Sequence, residues 1–243
     1  MGPTTGPTTG PNGSRGRTPG GDPSRGEPGP ATGPATTVRV GTPADAPMAA
    51  ALHAEGISQG FLSVLGPRFL TRLYRRICLD PDSFLLVAER DAPVGFIAGS
   101  TDVGSLYRTF LWRDGAVAAA LAARHLVVGW RRVLETLRHG DGGGPGSGRG
   151  AELLAVAVDR RSQGLGAGRQ LVAAFLAEVS ARGLDAAHVV VGADNGTATA
   201  LYERAGFATV ERFELHPGTE SLLMQWDGPG TTSAPEPGAG GAA

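Results

Sequence analysis

The sequence predicts one α/β domain built on a mixed sheet of seven strands, and three observations carry that prediction. Two apolar runs, "ELLAVAVD" (152–159) and "AAHVVVGAD" (186–194), each lead into a stretch of helical spacing, the mark of strands alternating with helices. Earlier, "SFLLVAER" (83–90) and "VGFIAGST" (94–101) meet at "DAPVG" and read as a hairpin. A closing pair, "FATVERFEL" (207–215) and "TESLLMQWD" (219–227), adds two strands, and "TVRVG" (37–41) opens the series.

The helices follow from end signals and apolar stripes. Thr42 followed by Pro43 marks a helix start, with threonine as the cap and proline in the first turn, and the helix runs to about Glu55. "GPRFLTRLYRRICL" (66–79) also starts with an early proline and sets Phe69, Leu70, Leu73, Tyr74 and Ile77 on one face. Leu106 to His139 is dotted with arginine, and its middle is helix-prone. "GDGGGPGSGRG" (140–150) reads as a flexible linker. "QGLGAGRQLVAAFLAEVSAR" turns helical from Leu165, with Leu171, Val172, Phe175, Leu176 and Val179 in one stripe. "GTATALYERA" is the last helix.

Composition sets the boundaries. Residues 1–36 and 228–243 are rich in Gly, Pro, Thr and Ser and offer almost no large apolar side chain, so nothing there offsets the entropy of ordering; both read as disordered tails around a domain at 37–227. A formal net charge of -1 gives no field for nucleic acid. The single cysteine, Cys78, excludes an intramolecular disulfide and a cysteine-held zinc, and it reads as core. No window has the length of uncharged apolar residues that a membrane span needs, so a cytoplasmic protein is expected.

The chemistry starts at "VDRRSQGLGAGRQL" (158–171), where glycines at 164, 166 and 168 lie between a strand and a helix. A helix start exposes unpaired N–H groups and the positive end of the dipole, which together favour phosphate. Glycines let phosphate oxygens approach the amides, and Arg161 and Arg169 add charge. A Walker loop requires a lysine, and the chain contains none. A dinucleotide fingerprint would need glycine or alanine where Arg169 sits.

Two motifs do fit together. Arg161 to Gly166 reads R-x-x-G-x-G, and "NGTATALYERAGF" (195–207) reads N-x-x-A-x-x-L-Y-x-x-x-G-F, carried by Asn195, Ala198, Leu201, Tyr202, Gly206 and Phe207. In both, the chain resembles the GNAT superfamily of acyl-CoA-dependent N-acyltransferases. Most positions of the second motif also have a plain structural reading: Asn195 as helix cap, Gly206 as left-handed terminator, Phe207 packed back near Tyr202.

The resemblance implies a mostly antiparallel sheet with a splayed fourth and fifth strand and helices on both faces. It implies acetyl-CoA as co-substrate, no metal, and direct transfer of the acetyl group to a primary amine of a small molecule or protein. The pyrophosphate would lie on Arg161, Gln163, Gly164, Leu165, Gly166, Ala167, Gly168 and Arg169, and the pantetheine arm along Val156, Ala157 and Val158, with Asn195 bonding it further on. An N–H of the fourth strand, Val156 first, would polarise the thioester carbonyl. Tyr202 would be the general acid. Glu152 is the first choice of base, with His188 and Glu55 as rivals, while His53 and His125 fit helix surfaces.

The stretch at about 102–150 is longer than the turn usual in the family and reads as an insertion. Its arginines at 108, 113, 124, 131, 132 and 138 fit an anionic acceptor or a solvated basic face, and its apolar positions with Trp112 and Trp130 fit a membrane surface. A homodimer is compatible with the family. Two other functions stay open: a non-catalytic coenzyme A-binding module, which would bind without releasing thiol, and a dinucleotide-binding oxidoreductase, which would bind nicotinamide.

Overall fold

The computed structural model describes residues 35–57, 65–115, 150–216 and 219–228. The expected tails lie outside these residues except at their inner ends, as does 116–149 of the expected insertion. In chain order the elements are β1 (Thr37–Val40), α1 (Ala46–Gly56), α2 (Pro67–Leu79), β2 (Ser83–Glu89), β3 (Pro93–Ser100) and a helix α3 at 103–115. Then come β4 (Ala151–Val158), a 3-10 turn (Arg160–Ser162), α4 (Ala167–Ala181), β5 (Ala186–Gly192), α5 (Gly196–Arg204), β6 (Ala208–His216) and β7 (Thr219–Asp227).

The seven strands form one sheet in the order β1-β2-β3-β4-β5-β7-β6. Only β4 and β5 run parallel, because α4 carries the chain back between them, whereas hairpins make β2–β3 and β6–β7 antiparallel. Alternation along each strand feeds two cores. Phe84, Leu86 and Ile97 pack under α4 with Leu171, Val172, Phe175 and Val179, and α5 adds Tyr202. Leu85, Val87 and Phe96 face the other way, against Ala46, Ala49 and Ala50 of α1 and Leu70, Leu73, Tyr74 and Ile77 of α2. The stripes expected on α2 and α4 are therefore the buried faces.

β4 sits at the centre of the order and is apolar on both faces, as its sequence requires. Against β3 its register runs from Ala98↔Ala155 to Gly99↔Leu153, so Leu154 is an extra residue, a β-bulge. The bulge reverses the alternation. Ala151 and Leu153 before it face the α4 core, while Ala155 and Ala157 after it face α1, and Val156 and Val158 take over the α4 side.

Two helix starts differ from the expectation. α1 begins at Ala46, not after Thr42. The Asp45 carboxylate accepts from the Thr42 N–H (2.7 Å) and hydroxyl (2.9 Å) and from both terminal nitrogens of Arg39, which closes residues 42–45 into a turn. Pro47 also forbids an earlier start, since a proline is tolerated only in a first turn. α4 begins at Ala167, because Gly164 and Gly166 adopt left-handed φ values of 77° and 89°; Leu165 between them is exposed. At the other end Gly228, expected to start the tail, is buried and donates to the Asp185 carbonyl at 2.6 Å.

Candidate active site

β4 and β5 pair at only two positions, Ala151↔Ala187 and Glu152↔His188. Beyond these the strands part, while β4 stays bonded to β3 as far as Val158. The bulge at Leu154 supplies the cause: it bends β4 directly after the last shared rung. The direction of the free main-chain groups follows from the ladder. The Asp159 N–H donates to Val94 (2.8 Å), so Asp159, Ala157 and Ala155 turn their polar groups to β3. Val156 and Val158 turn theirs into the opening. The Val158 carbonyl there accepts the Gln163 side-chain amide at 3.1 Å. Ala157 borders the opening's α1 side through its methyl, which lies 3.6 Å from where a Cβ on Gly56 would stand.

At the wide end of the opening lies the glycine loop. Asp159 accepts from the Arg161 N–H and starts the 3-10 turn, and left-handed Gly164 and Gly166 then swing the chain into α4. The first intrahelical bond is Gln170 N–H to the Gly166 carbonyl at 3.1 Å, so the amides of Gly166, Ala167, Gly168 and Arg169 have no helical acceptor and no side-chain cap. The amides of Gly164 and Leu165 likewise meet no acceptor among the described residues. Nothing stands within 4 Å of a Cβ built on Gly164, and Arg169 Nη2 lies 3.8 Å from one built on Gly166. Neither Arg161 nor Arg169 pairs with an acidic side chain among the described residues. A cradle of unpartnered N–H groups, left open by glycine and flanked by two guanidinium groups, fits a linked pair of phosphates.

The second motif packs onto this loop. A Cβ on Gly168 would stand 3.6 Å from Leu201 and 3.9 Å from Val158, so that glycine lets α5 and β4 close over the start of α4. Asn195 caps α5, its Oδ1 accepting from the Ala198 N–H at 3.1 Å, which leaves its amide nitrogen free to donate. Gly206 terminates the helix at φ 96°, and Phe207 meets the Tyr202 ring at 5.6 Å. Tyr202 is 4% exposed, and burial raises its pKa well above the ordinary value. Its hydroxyl makes no hydrogen bond to a described group, yet it is not among the enclosed unpartnered atoms, so its tip is open to an incoming group.

On the α1–α2 side, two of the three expected bases are brought together. Glu152 Oε2 and His188 Nε2 lie 3.6 Å apart across the last shared rung. Tyr107 of α3 lies in the field of Glu152: burial first, then that carboxylate, push it up to about 12. Glu55 is exposed at the end of α1. His125 lies outside the described residues.

His53 corrects the sequence reading. It is 4% exposed, not on a helix surface, and its Nδ1 lies 2.6 Å from the Tyr74 hydroxyl. The signal was present, since Ala46, Ala49, Ala50 and His53 form an i, i+3, i+4, i+7 stripe. Burial pushes the imidazole down to about 4. The unfolded chain, with a value of about 6.5, then takes up the proton first, so the stabilisation is complete above that pH and drains away as pH falls toward 4. Urea unfolding at pH 5 is expected to show about 2 kcal/mol less of this contribution than at pH 7.5. His53→Gln, which cannot titrate, should lose correspondingly less between the two pH values; equal losses would contradict the assignment.

Among the described residues no group of three or more His, Cys, Asp or Glu side chains could hold a metal, and no helix is long and apolar enough to cross a membrane. Of the arginines expected in the insertion, only Arg108 and Arg113 fall within the described residues, on exposed positions of α3 near Trp112, itself 91% exposed.

The fold defines the class first. Ribosomal-protein-alanine N-acetyltransferase from Brucella melitensis superposes with a TM-score of 0.51 at 20% identity, over 79% of this chain and 99% of that one. Ard1 from Thermoplasma volcanium gives 0.52 at 18%, over 80% and 98%. A Salmonella typhimurium protein solved with its cofactor acetyl-CoA gives 0.50 at 15%, over 83% and 98%. These likenesses show that the chain shares the fold of those three structures. A family model described as the acetyltransferase (GNAT) family matches residues 55–207, and the chain belongs to that family.

Sequence relatives include mycothiol acetyltransferases from Cellulomonas flavigena, 47% identical over 27% of this chain and 19% of that protein, and from Salinispora tropica, 38% identical over 40% and 30%. The chain thus spans about a fifth to a third of the length of these relatives.

Proposed function

We propose that this protein transfers an acetyl group from acetyl-CoA to a primary amine by direct attack. The observation that carries the reading is the opening between β4 and β5, which ends at a row of unpartnered amides. The amides of Gly164, Leu165, Gly166, Ala167 and Gly168 would hold the pyrophosphate, with Arg161 and Arg169 beside it. Gln163, whose amide already holds the Val158 carbonyl, would brace the loop. The pantetheine arm would run down the opening along Val156 and Val158, past the free amide of Asn195. Acetyl-CoA supplies the thioester; the chain's part is to align it and the amine, which removes much of the entropic barrier.

The Val156 N–H, turned into the opening, would donate to the thioester oxygen as negative charge builds there. As the C–N bond forms and the C–S bond breaks, Tyr202 would donate to the departing sulfur. A phenol whose pKa is raised stays protonated, and full transfer to a thiolate of pKa about 8.5 is uphill, so the contribution is a hydrogen bond. Glu152 would take the amine proton. Across the bulge its rung lies three β3 residues from that of Val156, about 10 Å, so it would act through water, with His188 orienting its carboxylate. The relatives' name favours a small-molecule acceptor over a protein one, and acetyl-CoA as co-substrate fits the cytoplasm.

The test is free-thiol release from acetyl-CoA with a panel of primary amines, headed by deacetylated mycothiol. Amine-dependent release is expected; coenzyme A binding without release for any amine would leave only a binding module. Glu152→Gln is expected to lower kcat at neutral pH about 10–100-fold without changing the acetyl-CoA Kd. The deficit should shrink as the pH approaches the amine's own pKa of about 10, where no base is needed. A deficit constant across that range would exclude Glu152.

A further inference from the structure

Beside the arginines of the insertion, which fit an anionic acceptor or a solvated basic face, the structure gathers a second basic group on α2. Arg68, Arg72, Arg75 and Arg76 fall within an arc of about 100°, opposite the buried face, and cover about 12 Å of helix. Such a stripe is often only a solvated surface. Here a second helix makes it concave: Phe110 of α3 packs edge-on against Phe69 at 5.3 Å and brings Asp114, one turn on, over the arginines. The result is a cleft of about 570 Å3 lined by these five charged side chains, Thr71 and Leu79.

The charges in the cleft do not balance. One carboxylate serves two guanidinium groups: Arg76 donates Nε (3.0 Å) and Nη2 (2.7 Å) to Asp114 Oδ2, and Arg72 donates Nη1 to Oδ1 at 3.2 Å. The Arg76 and Asp114 side chains are each only 14% exposed, so this pair is held in place, and Arg72, 41% exposed, joins it from the more open side. Arg68 and Arg75 are exposed and pair with no acidic group among the described residues. Four arginines and one aspartate leave an excess of three positive charges in a space the size of a small-molecule site. Guanidinium groups fixed at one wall with two free at the rim match closely spaced oxyanions, which they bind in paired N–H···O contacts.

We propose that the α2–α3 cleft is an anion site, separate from the glycine loop, for a compact ligand carrying two or more adjacent phosphate or carboxylate groups. The test is calorimetry on the full chain with coenzyme A at saturation, so that the glycine loop is already filled. Inorganic pyrophosphate and citrate are the two probes, and they distinguish phosphate from carboxylate recognition. One equivalent of at least one probe is expected to bind, with the Kd weakened about tenfold or more in R68Q/R75Q, because two charge-assisted contacts are lost. Coenzyme A affinity and the thermal midpoint should stay within about twofold and a few degrees, since both residues are exposed and off the core. No heat from either probe, or equal binding by the double variant, would overturn the proposal. Failure of coenzyme A to bind would instead strike the transferase reading, and R68Q/R75Q titrated with pyrophosphate alone would still decide the cleft.

Discussion

Tyr202→Phe is expected to lower kcat about 10–100-fold while the KM for acetyl-CoA moves by less than about threefold, the range of a hydrogen bond to a group that becomes charged only in the transition state. The reason lies in the split between ring and hydroxyl. The ring is buried against Phe207 in the α4 core and is kept by phenylalanine. The hydroxyl bonds to no described group, so its loss should leave the unfolding free energy unchanged within about 0.5 kcal/mol. Steady-state kinetics with the best amine acceptor, beside an unfolding curve, checks both halves. An unchanged kcat with a raised KM would mean that the hydroxyl binds the arm and does not serve the leaving sulfur.

Gly164→Val is expected to weaken acetyl-CoA binding about 100-fold, close to 3 kcal/mol. Two effects combine. The φ of 77° is left-handed, where a β-branched residue costs about 1–2 kcal/mol and would push the loop toward another shape. A Cβ there meets no protein atom within 4 Å, so the space it would fill is the space assigned to phosphate oxygens. Calorimetry with acetyl-CoA measures the loss directly, and a thermal midpoint lowered by only a few degrees would show that the rest of the fold stands. Wild-type affinity in this variant would place the pyrophosphate elsewhere.

Much of the fold was legible because local chemistry and burial agree along the chain. The stripes of α2 and α4 were readable from spacing, and Asn195, Gly206 and Phe207 occupy the cap, terminator and packing positions that their types imply. The start of α1 was misread because two prolines compete, and the choice between them rests on the carboxylate of Asp45 meeting Arg39, a contact no local rule contains. The bulge at Leu154 was invisible for a similar reason. Leu153 to Val158 is apolar throughout, so a slip in alternation leaves no mark in it, yet that slip opens β4 from β5.

The site was legible as two motifs but not as a geometry. Glu152 and His188 stood as rivals 36 residues apart, and only the parallel register of β4 and β5 makes them partners. In the sequence nothing separates the arginines of α2 from the polar side of any amphipathic helix. What sets them apart is Asp114, which comes from another helix.

The central claim is that coenzyme A lies in the opening of the sheet with its pyrophosphate on the glycine loop. A crystal structure of the chain with acetyl-CoA tests it most directly. The account predicts phosphate oxygens about 3 Å from the amides of residues 164–168, and the thioester carbonyl at hydrogen-bond distance from the Val156 N–H. Acetyl-CoA bound at any other place, or with its pyrophosphate away from that loop, would contradict it.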